Sequence, residues 1–208
     1  MRIVSAGYEI LTPIDGAQVL RHIERIGRVC YKSEDKITPE SAPAFVKMLI
    51  ARGHEAMIEH YSFSVKFICD RGVSHEIVRH RIASFAQEST RYCNYSKDKY
   101  GGEITVIAPF FWPDESEQFL RWREGMESAE RAYFALLAAG ATAQEARAAL
   151  PSSLKTELVM TANLREWRHF FKLRAASAAH PQMREVAAAL LEELKTLMPV
   201  VFDDIATA

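Results

Sequence analysis

The chain has 208 residues, 49% of them hydrophobic and 25% charged, with a formal net charge of −1. That length predicts one domain over residues 1–208, with a core large enough to need neither metals nor disulfides. The near-neutral balance excludes broad nucleic-acid binding through an extended basic footprint, and no apolar run approaches the roughly 20 residues that span a bilayer. Met1-Arg2-Ile3-Val4-Ser5-Ala6-Gly7 lacks the layout of a signal peptide, so the expected setting is cytoplasmic. Cys30, Cys69 and Cys93 form no CxxC pair, so neither a disulfide framework nor a zinc site is expected.

In chain order, Val19, Leu20, Ile23, Ile26 and Cys30 recur at helical spacing and predict a helix over residues 16–31. A second helix is expected from 41 to 52, stopped by Gly53. Tyr61, Phe63, Val65 and Phe67 alternate with polar residues as in a half-buried strand. A short helix from Ser74 should deliver Arg79, His80 and Arg81 at its end, with residues 82–102 left as an irregular functional loop. A strand near 103–108 follows, then a long helix from 114 to 139 ended by Gly140. Thr142 and Glu145 have capping-box spacing, so a new helix carries Arg147 and stops before Pro151. Alternation over 156–162 gives a weaker strand. Asn163, with Glu166 three residues on, caps a helix reaching 176, and Pro181 opens the last one. The intermixed elements follow no βαβ rhythm, so the fold class is α+β, or mixed α/β.

One segment concentrates chemistry. Arg71, Arg79, Arg81 and Arg91, with His75 and His80, lie within 21 positions of a nearly neutral chain. Arginine is always ionised and offers a planar fork of donors suited to phosphate or carboxylate. Grouping such residues around a Ser/Thr/Gln-rich turn reads as a binding site for a phosphorylated ligand. Residues two apart on a helix diverge by about 200°, so one patch does not easily use both Arg79 and Arg81.

Arg79-His80-Arg81, then seven residues, then Ser89, with Arg91 and Tyr92 close behind, resembles the signature of the flavin-dependent thymidylate synthases. Further agreements fall near residues 54–60, at 147 and over 163–174. The resemblance implies a mixed sheet with surrounding helices, a homotetramer, and sites built at subunit interfaces from several chains. It implies methylation of dUMP at C5 with methylenetetrahydrofolate and NADPH as co-substrates and FAD as cofactor, without an enzyme nucleophile. His54, Arg79, His80, Arg81, Gln87, Asn163, Arg165 and His169 would line the flavin. Glu76, Arg79, Gln87, Glu88, Ser89, Thr90, Arg91, Arg147 and Arg174 would hold the nucleotide, in a loop whose short side chains and N–H groups can approach a phosphate. Arg174 is the expected catalytic residue, its cation stabilising charge on the N3–O4 edge of the pyrimidine and so activating C5.

The departures are specific. Ala56 stands where a hydroxyl residue is common, Glu76 where Gln is common and His169 where Asn is common. No Ser/His/Asp ordering is recognisable around Ser89, which tells against a nucleophile, and the resemblance to a family that works without one implies that Ser89 is a phosphate ligand. Cys93 lacks the Pro-Cys-His context in which a cysteine attacks uracil. His54 and His60, six apart, lack the one-face spacing of HExxH, so no metal is expected. None of the nine glycines stands in a G-x-G pair, so the usual dinucleotide fingerprint is missing. Two alternatives stay open. One is a UMP methylase or uracil-nucleotide hydroxymethylase of the same fold; the other is a non-catalytic nucleotide- or RNA-binding protein.

Overall fold

A computed structural model describes residues 1–207, with the backbone alone at Lys99. Among the described residues, six strands and eight α-helices alternate irregularly, giving a mixed α+β fold. A two-stranded sheet pairs β1 (Arg2–Val4) with β5 (Thr105–Ile107), and a four-stranded sheet has the order β2 (Gly7–Ile10), β3 (Ser62–Asp70), β6 (Lys155–Asn163), β4 (Ala83–Gln87). Among the described residues, no helix is long and apolar enough to cross a membrane. The chain forms two compact units, each assembled from three segments, so no single cut separates them.

The first unit comprises Met1–Gly7, Phe67–Arg79 and Ala86–Val159. Its parallel β1–β5 pair sets Arg2 opposite Thr105 and Val4 opposite Ile107. Tyr95, Ile104, Val106, Tyr133, Ala146 and Leu154 form its buried cluster. The long helix α4 (Glu117–Ala138) starts at Ser116, whose hydroxyl accepts from the Phe119 N–H at 3.2 Å. Of its 22 residues only Phe119 and Tyr133 are fully buried. The short α5 (Ala143–Ala146) has the expected box, with Thr142 N–H donating to Glu145 Oε2 at 2.8 Å, and a 3₁₀ turn then carries Arg147.

The second unit comprises Tyr8–Lys66, His80–Phe85 and Met160–Ala208. Helix α1 (Gly16–Val29) is capped by Asp15, which accepts from Gln18 N–H, and lies close to α2 (Ser41–Ala51). A Cβ at Gly27 would sit 2.7 Å from the Phe45 ring, so glycine permits that approach. Helix α6 (Leu164–Arg174) buries Trp167, Phe170 and Phe171; Trp167 stacks on Phe63 at 4.9 Å and donates its indole N–H to the Phe63 carbonyl. Helix α7 (Pro181–Leu197) opens at Pro181 as the sequence predicts, and α8 (Pro199–Phe202) follows. Buried Arg168 clasps Asp204 through two 2.7 Å bonds and also holds the Val201 carbonyl, anchoring the segment after α8.

Two expectations need correction, and the sequence does not predict two short strands. β1 and β2 carry too few residues for periodicity to register. The expected helix from Ser74 begins at Arg71 as α3 (Arg71–Ile77), because Asp70 accepts from Val73 N–H at 2.6 Å and caps it earlier. Arg79, His80 and Arg81 therefore leave the helix, and the divergence expected of helical neighbours does not apply to them. The stretch 82–102 is not wholly irregular, since Ala83–Gln87 is β4. Ala, Ser and Gln carry no β-branched signal, and pairing with β6 makes this segment a strand.

Candidate active site

Two groups of side chains carry the chemistry, one in each unit. In the first, α3 begins directly after β3, and β4 leads into the turn Glu88-Ser89-Thr90-Arg91. Ser89 closes that turn: its carbonyl accepts from Tyr92 and Cys93 N–H at 3.1 and 2.9 Å, and its hydroxyl accepts from Arg91 N–H at 3.3 Å. Thr90 is buried, while Arg91 is exposed and lies over the Tyr92 ring at 5.6 Å. A hollow of about 520 Å³ opens where Thr90 meets Arg71, Gln144 and Arg147, with no carboxylate in its lining. The structure thus brings Thr90 together with Arg147, 57 positions apart in sequence.

The other loop residues have different surroundings. Gln87 donates its amide to Ser74 Oγ at 2.8 Å and Thr156 Oγ1 at 3.3 Å, so its orientation is set by α3 and β6. Glu88 faces a separate hollow of about 440 Å³, where Tyr95 Oη donates to it at 3.1 Å and Lys155 approaches at 3.4 Å. Arg79 is exposed just past α3, its N–H donating to the Glu76 carbonyl at 3.3 Å. Cys69 is buried, and burial pushes its thiol up to about 12, far from nucleophilic thiolate.

In the second unit, His80 is buried against Phe170, with Glu166 on one side and Arg174 on the other. Arg174 Nε donates to His80 Nε2 at 3.2 Å, so Nε2 is an acceptor and the ring is neutral. Its proton is then on Nδ1, which donates to Glu166 Oε1 at 2.9 Å. Burial lowers the His80 pKa below the ordinary 6.5, as do Arg174 and His169, while Glu166 pulls it upward. The sign follows directly. The folded pKa is depressed, so this ring's contribution to stability is full above 6.5 and is lost as pH falls through the lowered value. His80, Glu166 and His169 offer ligand atoms within 4.8 Å of one another. With Nδ1–H on the carboxylate and an arginine on Nε2, the arrangement is a hydrogen-bond chain that terminates in a cation.

Beside it lies a hollow of about 510 Å³ whose lining includes Ile82, Asn163, Arg165, His169 and Lys172 together with the carboxylates Glu55, Glu59 and Glu166. Ile82 is 72% exposed, an apolar platform beside cationic side chains. Asn163 caps α6, its Oδ1 accepting from Glu166 N–H at 2.9 Å. Arg165 is 52% exposed and is clasped by Glu59 at 2.6 Å and Glu55 at 3.5 Å. His54 is exposed, with Nδ1 3.1 Å from Tyr31 Oη, and Arg81 is also exposed. An apolar platform with hydrogen-bond donors and acceptors, its cations set among Glu55, Glu59 and Glu166, suits the flat ring and hydroxyls of a flavin more directly than its phosphates. Sequence reasoning saw Glu166 only as a capping partner and left Arg71 without a role. Glu166 had no signal of its own, because its partner His80 is 86 positions away.

The family model described as thymidylate synthase complementing protein matches residues 15–200, and the chain belongs to that family. Among its relatives are the flavin-dependent thymidylate synthases of Pyrococcus abyssi, 34% identical over 82% of this chain and 70% of that protein, and of Corynebacterium glutamicum, 31% identical over 96% and 84%. The fold is similar to that of the UMP/dUMP methylase PolB from Streptomyces cacaoi bound with 5-Br dUMP, with a TM-score of 0.78 and 22% identity over 98% of this chain and 96% of that one.

Proposed function

We propose that this protein methylates dUMP at C5 to give dTMP, taking its one-carbon unit from methylenetetrahydrofolate. The observation that carries the reading is the hollow where the loop after Arg79-His80-Arg81 meets Arg147 with no carboxylate in its lining. A dianionic phosphate is the ligand such a surface selects. Ser89, Thr90, Arg91 and Arg147 hold that phosphate, with Gln87, Glu76 and Arg79 directed to the rest of the nucleotide. Arg174, its Nε held by His80, presents its guanidinium to the N3–O4 edge of the pyrimidine. Charge building there as N3 ionises meets a donor already in place, which makes C5 the better carbon nucleophile.

Asn163, Arg165, His169, Arg81 and His54 hold FAD. Bound flavin, reduced by NADPH, supplies the hydride that completes the methyl group, and the protein contributes orientation and charge. The assembly is a homotetramer with sites at its subunit interfaces. The little-buried α4 supports this, because Leu120 and Leu136 stay 46% and 40% exposed on one chain. A UMP methylase of the same fold is the reading to separate, since Glu76 stands where Gln is expected.

The visible spectrum of the purified protein, recorded before and after adding dUMP, tests the proposal. Flavin bands that shift with dUMP and not with UMP are expected. An equal response to both nucleotides favours the UMP methylase. A colourless protein that neither takes up FAD nor responds to dUMP overturns the reading.

A further inference from the structure

Arg71 is the one arginine of the cluster to which the motif resemblance assigns no role, and its surroundings are unusual. Its Nη1 is buried and has no hydrogen-bond partner among the described residues. A buried donor without an acceptor is expensive, and more so when it carries charge. The backbone beneath it is firmly held: Arg71 N–H donates to the Ser152 and Leu154 carbonyls at 2.9 and 3.1 Å, and its own carbonyl accepts from Ser74 Oγ at 2.9 Å. Asp70, the carboxylate next to it in sequence, uses Oδ1 to cap α3 at Val73. The side chain lines the same hollow as Thr90 and Arg147. Two guanidiniums therefore share one hollow with a buried hydroxyl and no lining carboxylate.

We infer that Arg71 is a further ligand of the substrate nucleotide's 5′-phosphate, meeting it together with Arg147 and Thr90. The inference rests on the proposed dUMP reading. A phosphate monoester carries nearly two negative charges at neutral pH, enough to offset both guanidiniums, and its three terminal oxygens can accept from two forks at once. The hollow that Arg71 lines holds no carboxylate to neutralise its charge, and an anion there would do so. The nucleotide phosphate is favoured over the pyrophosphate of FAD because Thr90 belongs to the turn that Ser89 closes.

The test uses the FAD-loaded full-length protein in three forms: wild type, Arg71→Met and Arg71→Lys. Calorimetry gives the affinities for dUMP, deoxyuridine, inorganic phosphate and, on the apoprotein, FAD. Arg71→Met should weaken dUMP about ten- to a hundredfold, as expected for loss of a charge-assisted hydrogen bond. Deoxyuridine and FAD should change by less than about twofold, and inorganic phosphate should compete less well for the variant. Arg71→Lys should recover part of the loss, since it keeps the charge and lacks the fork. Without nucleotide, Arg71→Met should melt no lower than wild type, because it removes Nη1, a buried donor with no hydrogen-bond partner among the described residues. Equal losses for dUMP and deoxyuridine, no loss for either, or a loss confined to FAD would each overturn the role. If Arg71→Met does not fold, Arg71→Lys decides by the same dUMP-to-deoxyuridine ratio. A wild-type protein that binds the two equally removes the dUMP reading and this inference with it, whereas selective wild-type binding with unchanged variants removes the inference alone.

Discussion

At the scale of single residues, the chain Glu166–His80–Arg174 determines what the candidate catalytic arginine can do. A guanidinium on an exposed stem samples many rotamers, and fixing one of its nitrogens confines the remaining donors. His80 does this only while neutral, because a protonated ring has no lone pair to offer Arg174 Nε. Glu166 keeps the Nδ1 proton in place. Replacing Glu166 by Ala should lower kcat about ten- to a hundredfold while KM for dUMP moves less than about threefold. Glu166→Gln should retain most of the activity, since its amide oxygen still accepts from Nδ1–H. Nitrogen NMR of the ring should show the Nδ1–H tautomer in wild type and Glu166→Gln, and a mixture in Glu166→Ala. The groups facing His80 are Glu166, Arg174 and His169, so an acid limb from this ring belongs below 6.5. It should move lower still without Glu166, which raises the pKa. Equal losses in both variants, or an effect on KM alone, would reject a positioning role.

At the scale of elements, α6 carries a proposed ligand residue at each end. Asn163 caps its N-terminus, and Arg174 is its last residue, eleven positions on and nearly on the same side. On the proposed reading Asn163 has two jobs, as helix cap and as flavin ligand. Asn163→Ala should destabilise the protein by about 0.5–2 kcal/mol through the lost cap and also weaken FAD. Asn163→Ser keeps a capping oxygen, so it should melt close to wild type and still bind FAD more weakly. Calorimetric melting together with FAD titration checks this, and normal FAD affinity in Asn163→Ser would limit Asn163 to the cap. Strand β4 shows the limit of pattern reading: Ala83-Ser84-Phe85-Ala86-Gln87 has loop-like composition and becomes a strand only beside β6.

At the scale of the whole molecule, a site at a subunit interface of the proposed tetramer can take Arg147 from one chain and Arg174 from another. Arg147→Ala and Arg174→Ala should each be nearly inactive alone. Co-expressed, they should regain about a quarter of wild-type activity, because random assembly places both intact arginines at about one site in four. No recovery in a mixed tetramer would mean that each chain supplies both. Light scattering on the same samples gives the assembly size independently.

What the amino-acid sequence determined by itself was local and periodic. The long helices, the caps at Asn163 and Thr142, Pro181 as a first helical residue, and the Arg-His-Arg spacing all lie within one or a few turns of chain, where sterics and hydrogen bonding act between near neighbours. The tertiary structure decided which distant groups meet. It set Thr90 in one hollow with Arg147 and Arg71, turned Glu166 from a capping partner into the carboxylate that orients His80, and directed Glu88 to Lys155 and Tyr95. Such pairings depend on where β4, α3 and α6 pack, and packing is a property of the folded chain that no short window of sequence contains.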